Sequence, residues 1–266
     1  MNASGALRRI GERRPLVHHL TNYVTVNLVA NATLATGALP VMANAVEEVE
    51  EMAATASALV INTGTLDGDW VEAMILAGKE ANRRGIPVVL DPVGAGATRF
   101  RTETPERLLS EIDFTAVCGN AGEVSALAGL AAEVRGVESI GGDAREAVQK
   151  AAGRLGTTVA ATGPVDYVCD GERLLAVKNG HALMGRIVGS GCASTAVVGC
   201  LAAVGGGDAG TVAGALAYFG LAGEVAAGGA GGPGTFEPRL LDALSALAAD
   251  PDGLDGRLVV EEVPLA

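Results

Sequence analysis

From residue 22 onward the chain alternates between two hydrophobic rhythms. Apolar Val24, Leu28, Val29 and Ala32 recur at helical spacing and predict a helix over 22–35, with Gly37 as its terminating residue. A short strand at 38–42 follows, then an acidic helical stretch around 47–51. Residues 58–62 are an almost continuous apolar run, the pattern of a strand covered on both faces, and Thr63-Gly64 closes it. A helix at 71–84 leads to a second such strand at 86–90, which ends at Asp91-Pro92. The alternation continues with a strand at 114–118, helices at 123–130 and 144–155, and a strand at 157–161.

Beyond that point the rhythm changes. Residues 166–169 and 173–177 flank Asp170-Gly171, a hairpin signal. Three helices of small apolar residues then occupy 192–204, 208–227 and 239–248, and 259–263 reads as a short extra strand. A βαβα series, a hairpin and a helical tail together predict an α/β fold with one central, mostly parallel sheet sandwiched by helices. No linker or internal repeat divides the pattern, so a single domain over 1–266 is expected.

Composition narrows this further. Hydrophobic residues make up 49% of the chain and aromatic ones 3%, so the core must be built from Ala, Val and Leu; 38 glycines suit closely packed helices. The net charge is −12 and no basic stripe is present, which argues against a nucleic-acid partner. It does not exclude an anionic small molecule, because a local site can invert the field. Cys118, Cys169, Cys192 and Cys200 form no C-x-x-C pair and no zinc-like spacing with the three histidines. Arg8, Arg9, Arg13 and Arg14 precede no apolar run, so neither a signal peptide nor an uninterrupted membrane span is expected, and the expected location is the cytoplasm.

A parallel sheet presents ligands to the carboxyl ends of its strands. Thr63-Gly64, Asp91, Asn120 with Glu123, and Thr162-Gly163 all fall there. Taken singly, each is equally a turn or cap residue; their convergence is what marks a site. The sharpest feature is Gly189-Ser190-Gly191-Cys192, which opens a long helix. Its glycines let backbone amides converge, and the helix terminus adds positive potential, so this stretch is a predicted anion hole for a phosphoryl group. Cys192, beside that terminus, is expected to have a lowered pKa; the competing reading is a buried structural cysteine. No G-x-x-x-x-G-K-[ST] stretch occurs. Residues 205–210 and 229–234 match G-x-G-x-x-G but follow no strand, and read as helix connections. His18 and His19 lack a nearby third ligand and read as structural or substrate-lining; His181 reads as a solvated loop residue and Trp70 as packing at a helix start.

The motifs PLVHHLTNYV, GALPVM, INTGTL, LDPVGAGATRFR, GNAGE, ATGPVDYV, GSGC and GPGTF occur in this order from about Pro15 to Leu247. In them the chain resembles the hydroxyethylthiazole kinases, a family of ribokinase-like fold. The resemblance implies phosphorylation of the primary hydroxyl of 4-methyl-5-(2-hydroxyethyl)thiazole, a thiamine precursor, with ATP as co-substrate and Mg2+ as cofactor. It implies a homotrimer with active sites between subunits. Asn22, Met42 and Gly189 would lie at the thiazole. Asp91 and Glu123 would lie near magnesium and the phosphates, Cys118, Asn120 and Thr162 at the nucleotide, and Cys192 at the catalytic position beside the accepting hydroxyl.

General chemistry agrees with these roles. Phosphoryl transfer needs in-line positioning and charge stabilisation more than covalent help, and loop amides supply the latter. Magnesium takes carboxylate and water oxygens, and a thioether such as that of Met42 contacts a sulfur-containing ring favourably. One position departs from the family. Arg usually precedes its Gly-Asn-x-x-Glu, whereas here Cys118 does, and a thiol cannot reproduce a guanidinium fork on phosphate. The alternatives are another enzyme of the same fold, an ATP-dependent dehydratase or a hydroxymethylpyrimidine kinase, and a non-catalytic nucleotide sensor. The enzymes usually carry Asp where this chain has Cys192; the missing Arg favours the sensor.

Overall fold

The computed structural model describes residues 3–130, 133–135, 138–140, 143–254 and 256–265. Its first half runs α1 (Ala3–Arg13), β1 (Leu16–Leu20), α2 (Val26–Ala35), β2 (Leu39–Val41), α3 (Val49–Thr55), β3 (Ala58–Asn62), α4 (Gly68–Arg84), β4 (Val88–Asp91), α5 (Arg99–Glu111), β5 (Ala116–Asn120) and α6 (Ala121–Leu127). The short strands β6 (Glu133–Arg135) and β7 (Glu138–Ile140) pair with each other. Then come α7 (Ala144–Leu155), β8 (Thr158–Thr162), β9 (Asp166–Cys169), β10 (Leu174–Val177), α8 (Ser190–Gly205), α9 (Ala209–Ala227), α10 (Pro233–Ala249) and β11 (Val260–Val263).

Nine strands form one sheet in the order β11-β10-β9-β8-β5-β4-β3-β1-β2. From β2 to β8 all neighbours are parallel, while β9, β10 and β11 join antiparallel at one edge. Alternate side chains of the parallel strands enter two hydrophobic layers. Ala58 and Val60 of β3 pack with α1, α8, α9 and α10 on one face, and Leu59 and Ile61 pack with α3, α4 and α7 on the other. Burial on both faces explains the unbroken apolar runs of β3 and β4.

Strands β3, β8 and β9 and helix α7 lie within one residue of where the hydrophobic pattern places them, β10 and β11 each start one residue later than expected, and β4 starts two residues later. Helix α2 begins at Val26, four residues later than expected, because the Asn22 side chain accepts hydrogen bonds from the amides of Val24 and Thr25 and holds a turn there. Strand β5 is displaced by two residues toward the carboxyl end, and α10 starts at Pro233, taking in the GPGTF stretch. Strands β6 and β7 have no predicted counterpart, and three longer elements had no clear signal. Strand β1 is interrupted by His18 and His19, both buried. His18 Nε2 lies 2.6 Å from the Ala43 carbonyl, and His19 Nε2 lies 3.0 Å from Thr33 Oγ1. Helix α5 buries little besides Thr104, Pro105 and Leu108, and α1 precedes the first recognisable rhythm.

Both G-x-G-x-x-G matches connect helices. In the first, Gly205 ends α8 and the Asp208 carboxylate caps α9 by accepting from the amides of Gly210 and Thr211. The expectation that no segment could span a membrane is qualified by α9, which is long and apolar enough by itself; 83% of its apolar window is buried inside the protein, as a core helix requires.

Candidate active site

The strand register assembles the site. In parallel pairing, Asn62 at the end of β3 lies beside Asp91 at the end of β4, and Asn120 of β5 lies beside Thr162 of β8. Asn22 follows β1, and Met42 follows β2, at the same edge. Gly189 caps α8 in the left-handed region at φ +88°, and the first helical bond runs from the Ala193 amide to the Gly189 carbonyl at 2.8 Å. The amides of Ser190, Gly191 and Cys192 therefore open the helix with no acceptor inside it. A side chain at Gly189 would bring its Cβ 2.6 Å from Thr25 Cγ2, so the turn is also closely packed.

Four polar side chains converge at this turn. Asn62 Nδ2 donates to Asp91 Oδ2 at 2.6 Å and to Cys192 Sγ at 3.2 Å. Asn22 Nδ2 donates to Asn62 Oδ1 at 2.9 Å and to Cys192 Sγ at 3.6 Å. The Gly64 amide donates to Asn62 Oδ1 at 3.0 Å. A Cβ at Gly64 would come 2.6 Å from that of Asn22, so only glycine admits this approach. Asn62 was not among the residues singled out from the sequence. The signal available for it was its place as the last residue of a buried strand, the place that Asp91 holds one strand away.

Glu123 clamps two loops. Its Oε2 accepts from the Asn120 amide and its Oε1 from the Gly94 amide, each at 2.8 Å, while Asn120 Oδ1 accepts from the amides of Gly122 and Glu123 and so caps α6. Arg101, also unremarked in the sequence, donates to the carbonyls of Val93 at 3.0 Å and Gly64 at 2.5 Å, tying together the loops after β3 and β4. Thr162 Oγ1 donates to the Gly119 carbonyl at 3.3 Å, and the Gly163 amide donates to Asp166 Oδ1 at 2.9 Å.

Burial dominates the electrostatics. It pushes the Asp91 carboxyl well above the usual range, and the negative charge of Glu123 adds to this. Glu123 is raised by burial against the pull of its two amide donors and of Arg101. Asp166 is raised by burial to about 7. The Cys192 thiol is pushed up to about 12 by burial and by Asp91. This reverses the lowered pKa expected from the helix terminus: a thiolate here would be largely desolvated and next to a carboxylate, and the donors on the sulfur offset only part of that cost.

Cys118 is fully enclosed, its thiol packed in the hydrophobic layer that also holds Ala116, Ala160 and Ala193, and burial raises its pKa. Its side chain therefore offers no open contact to a nucleotide. Asn22, Asp91 and Cys192 are brought into one network; Thr162, Asn120 and Glu123 lie along the adjoining strand ends. His19 is kept neutral by burial, its pKa lowered to about 3. His181 is exposed, and its Nδ1 accepts from the Leu183 amide at 3.2 Å in a short 3-10 turn. Trp70 packs at the start of α4, edge-on to Tyr23 with ring centroids 4.8 Å apart.

Among the described residues no three His, Cys, Asp or Glu side chains gather into a metal cluster. Asp91 and Glu123 nonetheless fit magnesium. They are two buried carboxyl groups; burial first and the charge of Glu123 second raise the pKa of Asp91, a divalent cation would relieve that charge repulsion, and hard oxygens completed by water are what this ion takes. Beside Asn22 an open groove of about 630 Å³ is lined by residues including Tyr23, Asn44, Glu47, Asp67 and Trp70. Tyr23 on this groove (65% exposed), its neighbour in sequence Val24 (69%), and Val188 (73%), which precedes Gly189, leave apolar surface uncovered.

Comparison with known proteins identifies the family. Residues 7–250 match the hydroxyethylthiazole kinase family. A hydroxyethylthiazole kinase of Rubrobacter xylanophilus is 73% identical over 261 residues, 98% of each chain. The solved structure of a hydroxyethylthiazole kinase from Pyrococcus horikoshii superposes with a TM-score of 0.89 at 44% identity, covering 98% of this chain and 99% of that one. A ribokinase-like superfamily protein from Enterococcus faecalis shares the fold at 14% identity, with a TM-score of 0.65 over 93% of this chain and 94% of its own.

Proposed function

The chain belongs to the hydroxyethylthiazole kinase family, and from that premise we propose that it transfers the γ-phosphoryl group of ATP to the primary hydroxyl of 4-methyl-5-(2-hydroxyethyl)thiazole, a step of thiamine salvage. The observation that carries this reading is the meeting of the Gly189–Cys192 turn with Asn22, Asn62 and Asp91 at one edge of the sheet. The transferring group sits at the amides of Ser190, Gly191 and Cys192, where the donors are already aimed and need no reorganisation as charge develops. Asp91 and Glu123 would hold Mg2+, directly or through water, and the ion would supply neutralisation of the phosphate charge. Asn120, Thr162 and the backbone around Cys118 form the nucleotide side. Asn22, Met42 and Gly189 form the thiazole side, next to the Tyr23–Trp70 groove.

Cys192 keeps its proton at neutral pH and serves as a hydrogen-bond partner of the substrate hydroxyl rather than as an ionised base. That suffices, because the alcohol loses its proton late in a loose transition state. The uncovered Tyr23, Val24 and Val188 beside the thiazole side suit a homotrimer whose subunits close one another's sites. We take residues 1–266 as one catalytic unit acting in the cytoplasm. The test is ADP release with ATP and magnesium, with and without hydroxyethylthiazole, together with sedimentation. Stimulation by the alcohol and a trimer are expected; an unstimulated ATP-binding protein would support the sensor reading that Cys118 favours, and a fully active monomer would refute shared sites.

A further inference from the structure

We propose that Asn62 is a positioning residue of this site, one that sets the placement of Cys192 against Asp91 by donating one side-chain N–H to each. The proposal rests on the kinase reading above for its functional consequence, and on geometry for its substance. The amide nitrogen carries two hydrogens, and two acceptors meet it, Asp91 Oδ2 at 2.6 Å and Cys192 Sγ at 3.2 Å. The oxygen accepts from two donors, the Gly64 amide at 3.0 Å and Asn22 Nδ2 at 2.9 Å. The full hydrogen-bonding capacity of the side chain is thus used. The orientation follows from the same partners. Turned by 180°, the amide would set its oxygen against the Asp91 carboxyl and its NH2 against two N–H donors, so only one arrangement satisfies the network.

The residue is buried at 3% exposure, and its backbone is fixed by the β3–β4 register that sets it beside Asp91. Cys192 arrives from elsewhere, on the first turn of α8. Asn62 therefore couples the sheet that carries the carboxylate to the helix that carries the sulfur and the loop amides. A change at Asn62 should disturb their alignment without emptying the thiazole side, which Asn22, Met42 and Gly189 line.

Asn62→Asp separates this role from a simple turn. It is isosteric and keeps an oxygen for the Gly64 amide and for Asn22, but replaces the shared donor with a second carboxylate oxygen. Asn62→Ser, which adds no charge and is too short to reach both partners, guards against misfolding of the first variant. In either folded variant kcat is expected to fall about ten- to a hundredfold, the effect of losing a hydrogen bond to a charged group, and in Asn62→Asp, which keeps the acceptor for Asn22, KM for hydroxyethylthiazole is expected to change little. Alkylation of Cys192 by iodoacetamide at one fixed pH, followed on its own peptide, is expected to slow several-fold in Asn62→Asp, because the sulfur loses an N–H donor and gains a negative neighbour. Wild-type kcat and wild-type alkylation in the variants would overturn the proposal and leave Asn62 as a turn residue only. Should the natural protein show no thiazole-stimulated turnover, the kinase reading fails, and the alkylation comparison still decides the placement of Cys192.

Discussion

Replacing Gly189 by alanine probes the turn on which the anion hole depends. Two costs can be worked from the structure. At φ +88° a Cβ clashes with its own backbone, worth about 1–2 kcal/mol. The same Cβ would lie 2.6 Å from Thr25 Cγ2 and 2.9 Å from Thr25 Cβ, an overpacking that costs about 1–3 kcal/mol if the surroundings shift. The sum, about 2–5 kcal/mol, is a large fraction of the stability of an ordinary domain but does not exceed it. For a chain of this length each kcal/mol lowers Tm by about 2 °C, so a fall of about 4–10 °C is expected by calorimetry. Activity should suffer more than stability, because displacing one preorganised amide donor typically lowers kcat about 100- to 1000-fold. The two costs are partly separable: Gly189→Ala with Thr25→Ala should recover the share of Tm due to the Cγ2 contact, but neither the 2.9 Å Cβ contact, which alanine keeps, nor the dihedral share. A Gly189→Ala protein with natural Tm and natural kcat would refute both the strained turn and its catalytic use. Failure of Thr25→Ala to restore any Tm would refute the assigned contact.

Three further outcomes follow from the same geometry. Cys192→Ala is expected to lower kcat by about two- to tenfold, the loss of one neutral hydrogen bond to the substrate hydroxyl, and Cys192→Asp to remain active despite the nearby Asp91; full activity in Cys192→Ala, measured by steady-state kinetics, would remove the sulfur from the mechanism. Cys118→Arg is expected to lower the Tm of the unliganded protein, since a guanidinium replaces a fully enclosed thiol, and to leave ATP affinity unimproved in calorimetric titration, because the side chain at 118 lies in the hydrophobic layer; tighter ATP binding would show that position 118 does reach the phosphates. Asp166, raised by burial to about 7, binds a proton in the folded state that the unfolded chain has already lost above about pH 4, so stability should fall as pH rises from about 4 to 7. Asp166→Asn, which can still accept from the Gly163 amide, should flatten that part of the Tm–pH curve; an unchanged curve would show that Asp166 does not titrate there.

Much of this protein was legible in its sequence because local pattern records local physics. A strand covered on both faces must be apolar throughout, so β3 and β4 announce themselves, and the turn chemistry of Asp170-Gly171 marks the β9–β10 hairpin. Asp91, Asn120, Thr162 and the Gly189–Cys192 turn were visible as polar or glycine punctuation after such runs, and the ordered motifs named their family. What the linear pattern carries is which face of an element is buried. It does not carry which element covers that face. Strand β1 escaped notice because its buried histidines are satisfied by Ala43 and Thr33, partners supplied by other elements. Asn62 and Asp91 are 29 positions apart, and Asn62 and Cys192 are 130 apart; only the β3–β4 register and the seating of α8 on the sheet bring them within hydrogen-bonding distance. The raised pKa of Cys192 and the enclosure of Cys118 are likewise tertiary facts. Desolvation depends on everything that packs around a group, whereas the helix terminus that suggested a lowered thiol pKa is a local feature and is outweighed.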